Sequence, residues 1–211
     1  MVQITAELAH TTLKASDRKR EILAAASSVF RRKGLHATGM RDIAAELGMH
    51  VGNLYYYFSN KEELLAFCQE DALVGLAALV EESRALEGSA DERLRHLIVG
   101  HVELLNQTTP GSLAHLEVEA LSNEWYGRIV AMRDDYEGAV RELIAEGVAE
   151  GVFRDVDPGI AALAILGALN WTVKWFRQDG RKTAAQIGTE FAGLLVGGLE
   201  RGDPGAKRRQ P

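Results

Sequence analysis

With 211 residues the chain can hold one large or two small domains, and its 46% apolar and 26% charged residues are ordinary for a soluble globular protein. No apolar run reaches the ~20 residues of a membrane span, and the first sixteen residues lack the basic start and apolar core of a secretory signal. Cys68 is the only cysteine, which excludes an internal disulfide and a cysteine-based zinc cluster. No membrane partner and a cytoplasmic location are expected. The net charge of −6 argues against nucleic acid until it is resolved along the chain. Residues 14–61 hold nine Lys/Arg and four Asp/Glu, or +5; residues 62–211 hold 15 and 25, or −10, and Glu7 completes the sum. A basic head on an acidic body is the pattern expected when only the head approaches phosphates.

Residues 1–15 read as a flexible arm. Lys14, Arg18, Lys19 and Arg20 are either added phosphate contacts or a solvated basic start. A first helix is expected over 17–33, where Ile22, Ala25, Ala26, Val29 and Phe30 repeat at helical spacing. The stretch TGMRDIAAELGMHVGNLYYYFSNK, 38–61, then reads as two short helices joined by a turn. Ile43, Ala44 and Leu47 share one face of the first. Gly48 sits where a helix ends with positive φ. The second, 51–58, carries Tyr55, Tyr56 and Tyr57 on three azimuths, so at least one hydroxyl faces outward. Two helices around a Gly-containing turn match the helix-turn-helix, whose second helix enters the DNA major groove.

Beyond the turn, Ser59-Asn60-Lys61-Glu62 reads as a capping box that opens a long helix to about residue 86. Ser89 to Glu92 reads as a second box, opening a helix to about 106 with Leu94, Leu97, Ile98, His101, Leu104 and Leu105 inward. Pro110 starts a short helix through 121, and Ser122 caps one over 123–150. Residues 152–156 form a link. Asp157-Pro158 caps a helix to about 178 whose middle is apolar on every side, so all its faces should be covered. Thr183 to Gln186 caps a last helix to about 199, in which Gly188, Gly193, Gly197 and Gly198 leave room for another backbone. Residues 202–211 read as a disordered tail. No strand pattern or repeat is present, so the fold class is all-α with about nine helices: a helix-turn-helix head over 16–61 and a helical body over 62–201.

Residues 17–65 resemble the DNA-binding domain of TetR-family transcriptional regulators. The match runs through F-x-x-x-G-x-x-x-T (Phe30, Gly34, Thr38), I-A-x-x-x-G (Ile43, Ala44, Gly48) and G-x-L-Y-Y-Y-F-x-x-K-E-E-L from Gly52. One departure is His50, where the family usually has Ser, a better N-cap. The resemblance implies that Val51, Gly52, Asn53 and Tyr56 face base edges, and Asn53 suits adenine N6/N7. It implies phosphate contacts for Tyr55, Tyr57, Lys61, Thr38 and Arg41, with His50 at the helix start. Tyr55 or Tyr57 can equally be packed with only its hydroxyl exposed; Leu54 and Phe58 read as core. The last two helices resemble the pair that forms a four-helix dimer interface in the family, which implies a homodimer joined through Leu163, Leu166, Phe191, Leu194, Leu195 and Gly198.

The body carries a second constellation. Asn170 and Lys174, like Trp171 and Trp175, are four apart and share a helix face. With His101, Leu105, His115, Glu119, Trp125 and Tyr126 they are the candidate lining of a ligand cavity, although each aromatic alone reads more simply as core. His115 and Glu119 supply two metal ligands with no third at matching spacing, so a satisfied polar pair is the better reading. No Gly-rich phosphate loop, nucleophile elbow or acid pair supports an enzyme, and no cofactor is expected. Residues 141–158 and 168–199 resemble the C-terminal domains of TetR regulators of fatty-acid and steroid catabolism, which sense acyl-coenzyme A thioesters. That resemblance implies a repressor dimer on a palindromic double-stranded DNA operator, released by such a thioester, with Lys174, Arg177 and Arg181 as candidate cations for its phosphates. The alternatives are a TetR-type sensor of another hydrophobic ligand, such as a drug or aromatic acid, and an all-α ligand carrier or enzyme.

Overall fold

The computed structural model describes the backbone of residues 2–108 and 121–201 and the side chains of residues 17–107 and 121–201. The described chain is all-α: α1 (Val2–Lys33), α2 (Met40–Glu46), α3 (Val51–Tyr57), α4 (Lys61–Ala85), α5 (Ala90–Glu103), α6 (Asn123–Ala149), α7 (Pro158–Trp175) and α8 (Ala184–Gly197). One isolated β-bridge, Phe153 to Glu200, is the sole strand-like pairing among the described residues. The expected short helix from Pro110, His115, Glu119 and the tail 202–211 lie outside the described residues.

Local chemistry sets most of the boundaries. The Asp157 carboxylate accepts from Gly159 N at 2.8 Å and Ile160 N at 3.1 Å, capping α7 as expected. Thr183 and Gln186 exchange bonds at the start of α8, at 2.9 and 3.2 Å, and Glu92 accepts from Ser89 N at 3.0 Å at the start of α5. The box expected at Ser59 to Glu62 is shifted by one residue. Asn60 is the cap, accepting from Glu63 N at 2.8 Å, and Glu63 reaches back to Ser59 N. Glu62 is then directed at Ser122 N instead. α1 begins at Val2 rather than near Asp17 and runs through the segment expected as an arm, because residues 2–16 contain neither Gly nor Pro to stop it. α5 gives way to a single π-helical turn over Leu104–Thr108, which the periodicity does not announce.

The described residues divide into two compact units: residues 2–72 with 121–130, and residues 73–108 with 131–201. In the first, α1 contributes Ile22, Leu23, Ala26, Val29 and Phe30 to a core shared with Ile43, Leu54, Phe58, Leu64 and Cys68. Cys68 is a packed hydrophobe: burial, then the nearby Asp71 charge, push its thiol pKa well up, away from thiolate chemistry. In the second, α5 lies against α8. A Cβ on Gly188 would stand 2.9 Å from Val99 Cα and 3.1 Å from its carbonyl oxygen, so only glycine permits this approach. Phe153, in the expected link, is fully buried over Gly147, and Arg154 N and Arg201 N pair this segment with the end of α8.

Candidate nucleic-acid interface and effector site

The turn between α2 and α3 is built by Gly48 at φ +61°. Gly48 N donates to Ala45 O at 3.1 Å and Met49 N to Ala44 O at 3.0 Å, the paired bonds of a Schellman ending. α2 is braced against α1 by two ion pairs, Arg32–Glu46 at 2.7 Å and Lys33–Asp42 at 2.6 Å. Arg32 and then Ser28 hold the Glu46 carboxyl down at about 2. With Arg18 on Glu21, three of the head's cations are engaged by acids on its own surface, so the +5 excess rests on the remaining ones. Lys61 donates to the Leu35 carbonyl, and its desolvation lowers the ammonium pKa. Thr38, 3% exposed, donates its hydroxyl to Gly34 O at 2.8 Å. Of the residues expected at phosphates, Thr38 and Lys61 therefore hold the loop before α2 together, while Arg41 and His50 are exposed.

α3 is pinned by Leu54 and Phe58, which are buried as expected. The Phe58 ring lies 5.4 Å from Phe67, and Lys19 Nζ sits 5.3 and 4.8 Å from the two ring centroids. The other face is outward. Gly52, Asn53 and Tyr55 are exposed, Tyr56 is 83% exposed, and Val51 and Tyr57 are half-buried. Tyr57 packs edge-on to Tyr56 with centroids 5.2 Å apart. His50 makes no side-chain cap bond. A Cβ at Gly52 would meet nothing within 4 Å, and its φ is not positive, so the fold itself does not require glycine there.

In the second unit His101 is fully buried. Its Nδ1 and the Tyr136 hydroxyl share a hydrogen bond at 2.8 Å. Nε2 and the buried Asn170 Oδ1 each complete no hydrogen bond. Burial lowers the imidazole pKa to about 4, against a smaller upward pull from Asn170, so the ring is neutral at pH 7. Asn106 donates to Val102 O at 2.8 Å and to Thr172 Oγ1 at 2.7 Å. The His101–Tyr136 and Asn106–Thr172 pairs are buried, and Tyr136, Asn106 and Thr172 carry no sequence signal beyond helical period. Leu105 is buried beside Asn106 in sequence, in the π-helical turn.

The tryptophans go elsewhere. Trp171 is 59% exposed and Trp175 is also exposed, on an outer stripe of α7 with Ile160 and Leu163. A helix apolar on every side gives no periodicity to say which face turns in, and the structure turns these two out, away from His101. Lys174 is exposed too. On α8, Leu194 is 74% exposed and Gly198 exposed, Phe191 and Leu195 are half-buried, and Leu166 on α7 is buried. A Cβ on Gly167, Gly193 or Gly197 would meet open space. Trp125, half-buried, and Tyr126, exposed, lie in the first unit at the start of α6. A cleft of about 280 Å³ opens between α4 and α6, with Leu73, Val80 and Met132 in its wall and Glu81, Arg84 and Asp135 at its edge. Two others, of about 390 and 400 Å³, flank the α7–α8 connection. No helix among the described residues is long and apolar enough to cross a membrane.

Comparison with known proteins agrees with this geometry. Residues 22–67 match the bacterial regulatory proteins of the tetR family, and residues 87–199 match the tetracyclin repressor-like C-terminal domain. The chain is 26% identical over 189 residues to the HTH-type transcriptional repressor KstR2 of Mycobacterium tuberculosis, covering 88% of this chain and 94% of that one. The structure of that ketosteroid transcriptional regulator superposes with a TM-score of 0.79. The TetR-family regulator PfmR from Thermus thermophilus is 35% identical, with a TM-score of 0.77 over 85% of this chain and 99% of its own. AibR, solved with isovaleryl coenzyme A and operator DNA, is 28% identical, with a TM-score of 0.74 over 85% and 98%. With both of its halves matched, the chain belongs to the TetR family of bacterial transcriptional regulators.

Proposed function

We propose that this TetR-type regulator is a homodimeric repressor that reads a palindromic operator through α3 of each subunit and is released by a coenzyme A thioester from lipid or steroid catabolism. The observation that carries the DNA reading is α3 itself: a helix locked from behind by Leu54 and Phe58, with Asn53, Tyr55 and Tyr56 turned to solvent. Gly52, which nothing in the protomer demands, leaves the start of the helix clear for a base edge or phosphate. Val51, Asn53 and Tyr56 are assigned to bases, and Arg41, Tyr55, Tyr57 and His50 to phosphates; Thr38 and Lys61 are assigned to holding the loop that presents them.

Dimerisation is assigned to α7 and α8. Ile160, Leu163, Trp171 and Leu194 form an exposed apolar surface, and the open space at Gly167, Gly193 and Gly197 lets a second backbone come close. A two-fold axis there would set two recognition helices on half-sites about 34–36 Å apart. The effector class rests on the relatives, a ketosteroid regulator and a protein solved with an acyl-coenzyme A. Release requires that the thioester bind the DNA-incompetent arrangement more tightly than the DNA-bound one, a coupling of about 1–3 kcal/mol in typical cases. A second reading, a sensor of a compact hydrophobic drug or aromatic acid, draws on the apolar wall of the α4–α6 cleft.

The test of the DNA reading is the anisotropy of a labelled fragment from upstream of the gene, titrated with protein at several salt concentrations. A regulator of this kind gives saturable binding with a steep log–log salt slope. Equal affinity for this fragment and a scrambled one overturns the reading.

A further inference from the structure

The connection between α7 and α8 concentrates positive charge in an acidic body. Residues 174–182 hold four Lys/Arg and one acid, whereas residues 62–211 as a whole carry an excess of ten acids. Other body cations vary: Arg84 sits with Glu81 and Glu142 and Arg93 with Glu146 and Glu150, whereas Arg154 donates to the Gly198 carbonyl. Here Arg177 holds Asp179 at 3.0 Å and Lys182 reaches Glu190. Arg181 has no acidic partner among the described residues. The connection is tightly turned: Gly180 N donates to Arg177 O at 3.0 Å, and a Cβ on Gly180 would stand 2.9 Å from that oxygen.

Two adjoining clefts open on this turn, and both are lined by Phe176, Gly180, Arg181 and Lys182. Their volumes, about 390 and 400 Å³, are each within the ~300–1,000 Å³ range of small-molecule sites. The second also has Trp175 and Phe191, whose rings are 6.3 Å apart and inclined at 51°, and Glu190, the carboxylate that Lys182 holds and that a phosphate would have to displace. Arginine and lysine beside flat aromatic faces are what a nucleotide needs: cations for phosphate oxygens and rings for a base to stack on.

We propose that this double cleft holds the 3′-phosphorylated adenosine diphosphate end of coenzyme A, with phosphates on Arg181 and Lys182 and adenine against Trp175, Phe176 and Phe191. The proposal rests on the thioester reading above and assigns its charged half a place. Trp175 and Phe191 border the apolar surface assigned to the second subunit, so a nucleotide seated here touches the dimer seam. That gives the charged end of the effector direct purchase on the relation between the two subunits, without relying on the acyl chain alone.

The test titrates the full-length dimer calorimetrically with free coenzyme A, dephospho-coenzyme A and ATP. Free coenzyme A binds, and dephospho-coenzyme A binds at least tenfold more weakly. Arg181→Glu combined with Lys182→Gln lowers coenzyme A affinity at least tenfold, Arg181→Lys retains most of it, and the remote reversal Arg141→Glu leaves it unchanged. Each of these residues is exposed, and unchanged melting and operator affinity exclude a folding defect. Wild-type affinity for coenzyme A and its thioesters in the double variant overturns this site while leaving the effector class standing. Tighter binding of ATP than of coenzyme A overturns the coenzyme A assignment. No binding of coenzyme A or of any thioester overturns both this site and the effector reading.

Discussion

Acidification should loosen the body through one residue, His101. Its imidazole is completely buried, hydrogen-bonded to Tyr136 and held at a pKa of about 4 against an ordinary 6.5. The folded pKa is depressed, so the unfolded chain binds more protons between those values. The contribution to stability is complete above about pH 6.5 and is lost as pH falls toward about 4. The full depression corresponds to about 3 kcal/mol, of which about 2 kcal/mol is lost by about pH 5. Urea unfolding at about pH 7.5 and about pH 5 reads this out, and His101→Gln supplies the reference, because carboxylates titrate alike in both proteins. Glu46, at about 2, is still charged at the lower pH and cancels in the difference. The wild type should lose about 2 kcal/mol more than the variant between the two pH values. Equal losses would refute a neutral, buried imidazole.

Phe153→Ala empties the space over Gly147 and should cost about 3–5 kcal/mol in urea unfolding. Two glycines of one helix should behave oppositely. Gly188→Val collides with the Val99 backbone and should lower stability by about 1–3 kcal/mol. Gly193→Val meets open space in the protomer; it should leave the protomer folded by circular dichroism while weakening self-association in sedimentation. Asn53→Ala should reduce operator affinity by about 1–3 kcal/mol and relax preference at one base position. Arg41→Ala should weaken all sequences evenly and reduce the log–log salt slope by about 1.

The parts of the molecule legible in the sequence are those with local causes. Gly48 ends α2 with positive φ because the turn demands it, and Asp157, Ser89 and Thr183 cap helices because their partners lie within three residues. The cap of α4 reads one residue early because Ser59 and Asn60 both suit the role, and only geometry puts the Asn60 oxygen on Glu63 N. Features with distant causes are not legible. The glycines of α8 announce close approach but not to what: Gly188 meets Val99 of the same chain, whereas Gly193 faces outward. Trp171 and Trp175 share a face by spacing, yet α7 offers no polar stripe to show that this face is the outer one. Phe153 lies in a five-residue link too short for any periodicity to mark it as core, and the Tyr136 and Thr172 hydroxyls meet their partners across helices. The basic head is visible as a sum, but not that Glu46 and Asp42 hold Arg32 and Lys33.

The measurement that bears most directly on the central claim is release of the protein from its operator. A labelled upstream fragment, bound to the full-length protein and followed by anisotropy, is challenged with a panel of acyl- and steroid-coenzyme A thioesters beside their free acids. The account predicts that one thioester class lowers anisotropy to the free-DNA value while the matching acids, at the same concentrations, do not. Release by the acids as readily as by the thioesters, or stable binding throughout the panel, would contradict it.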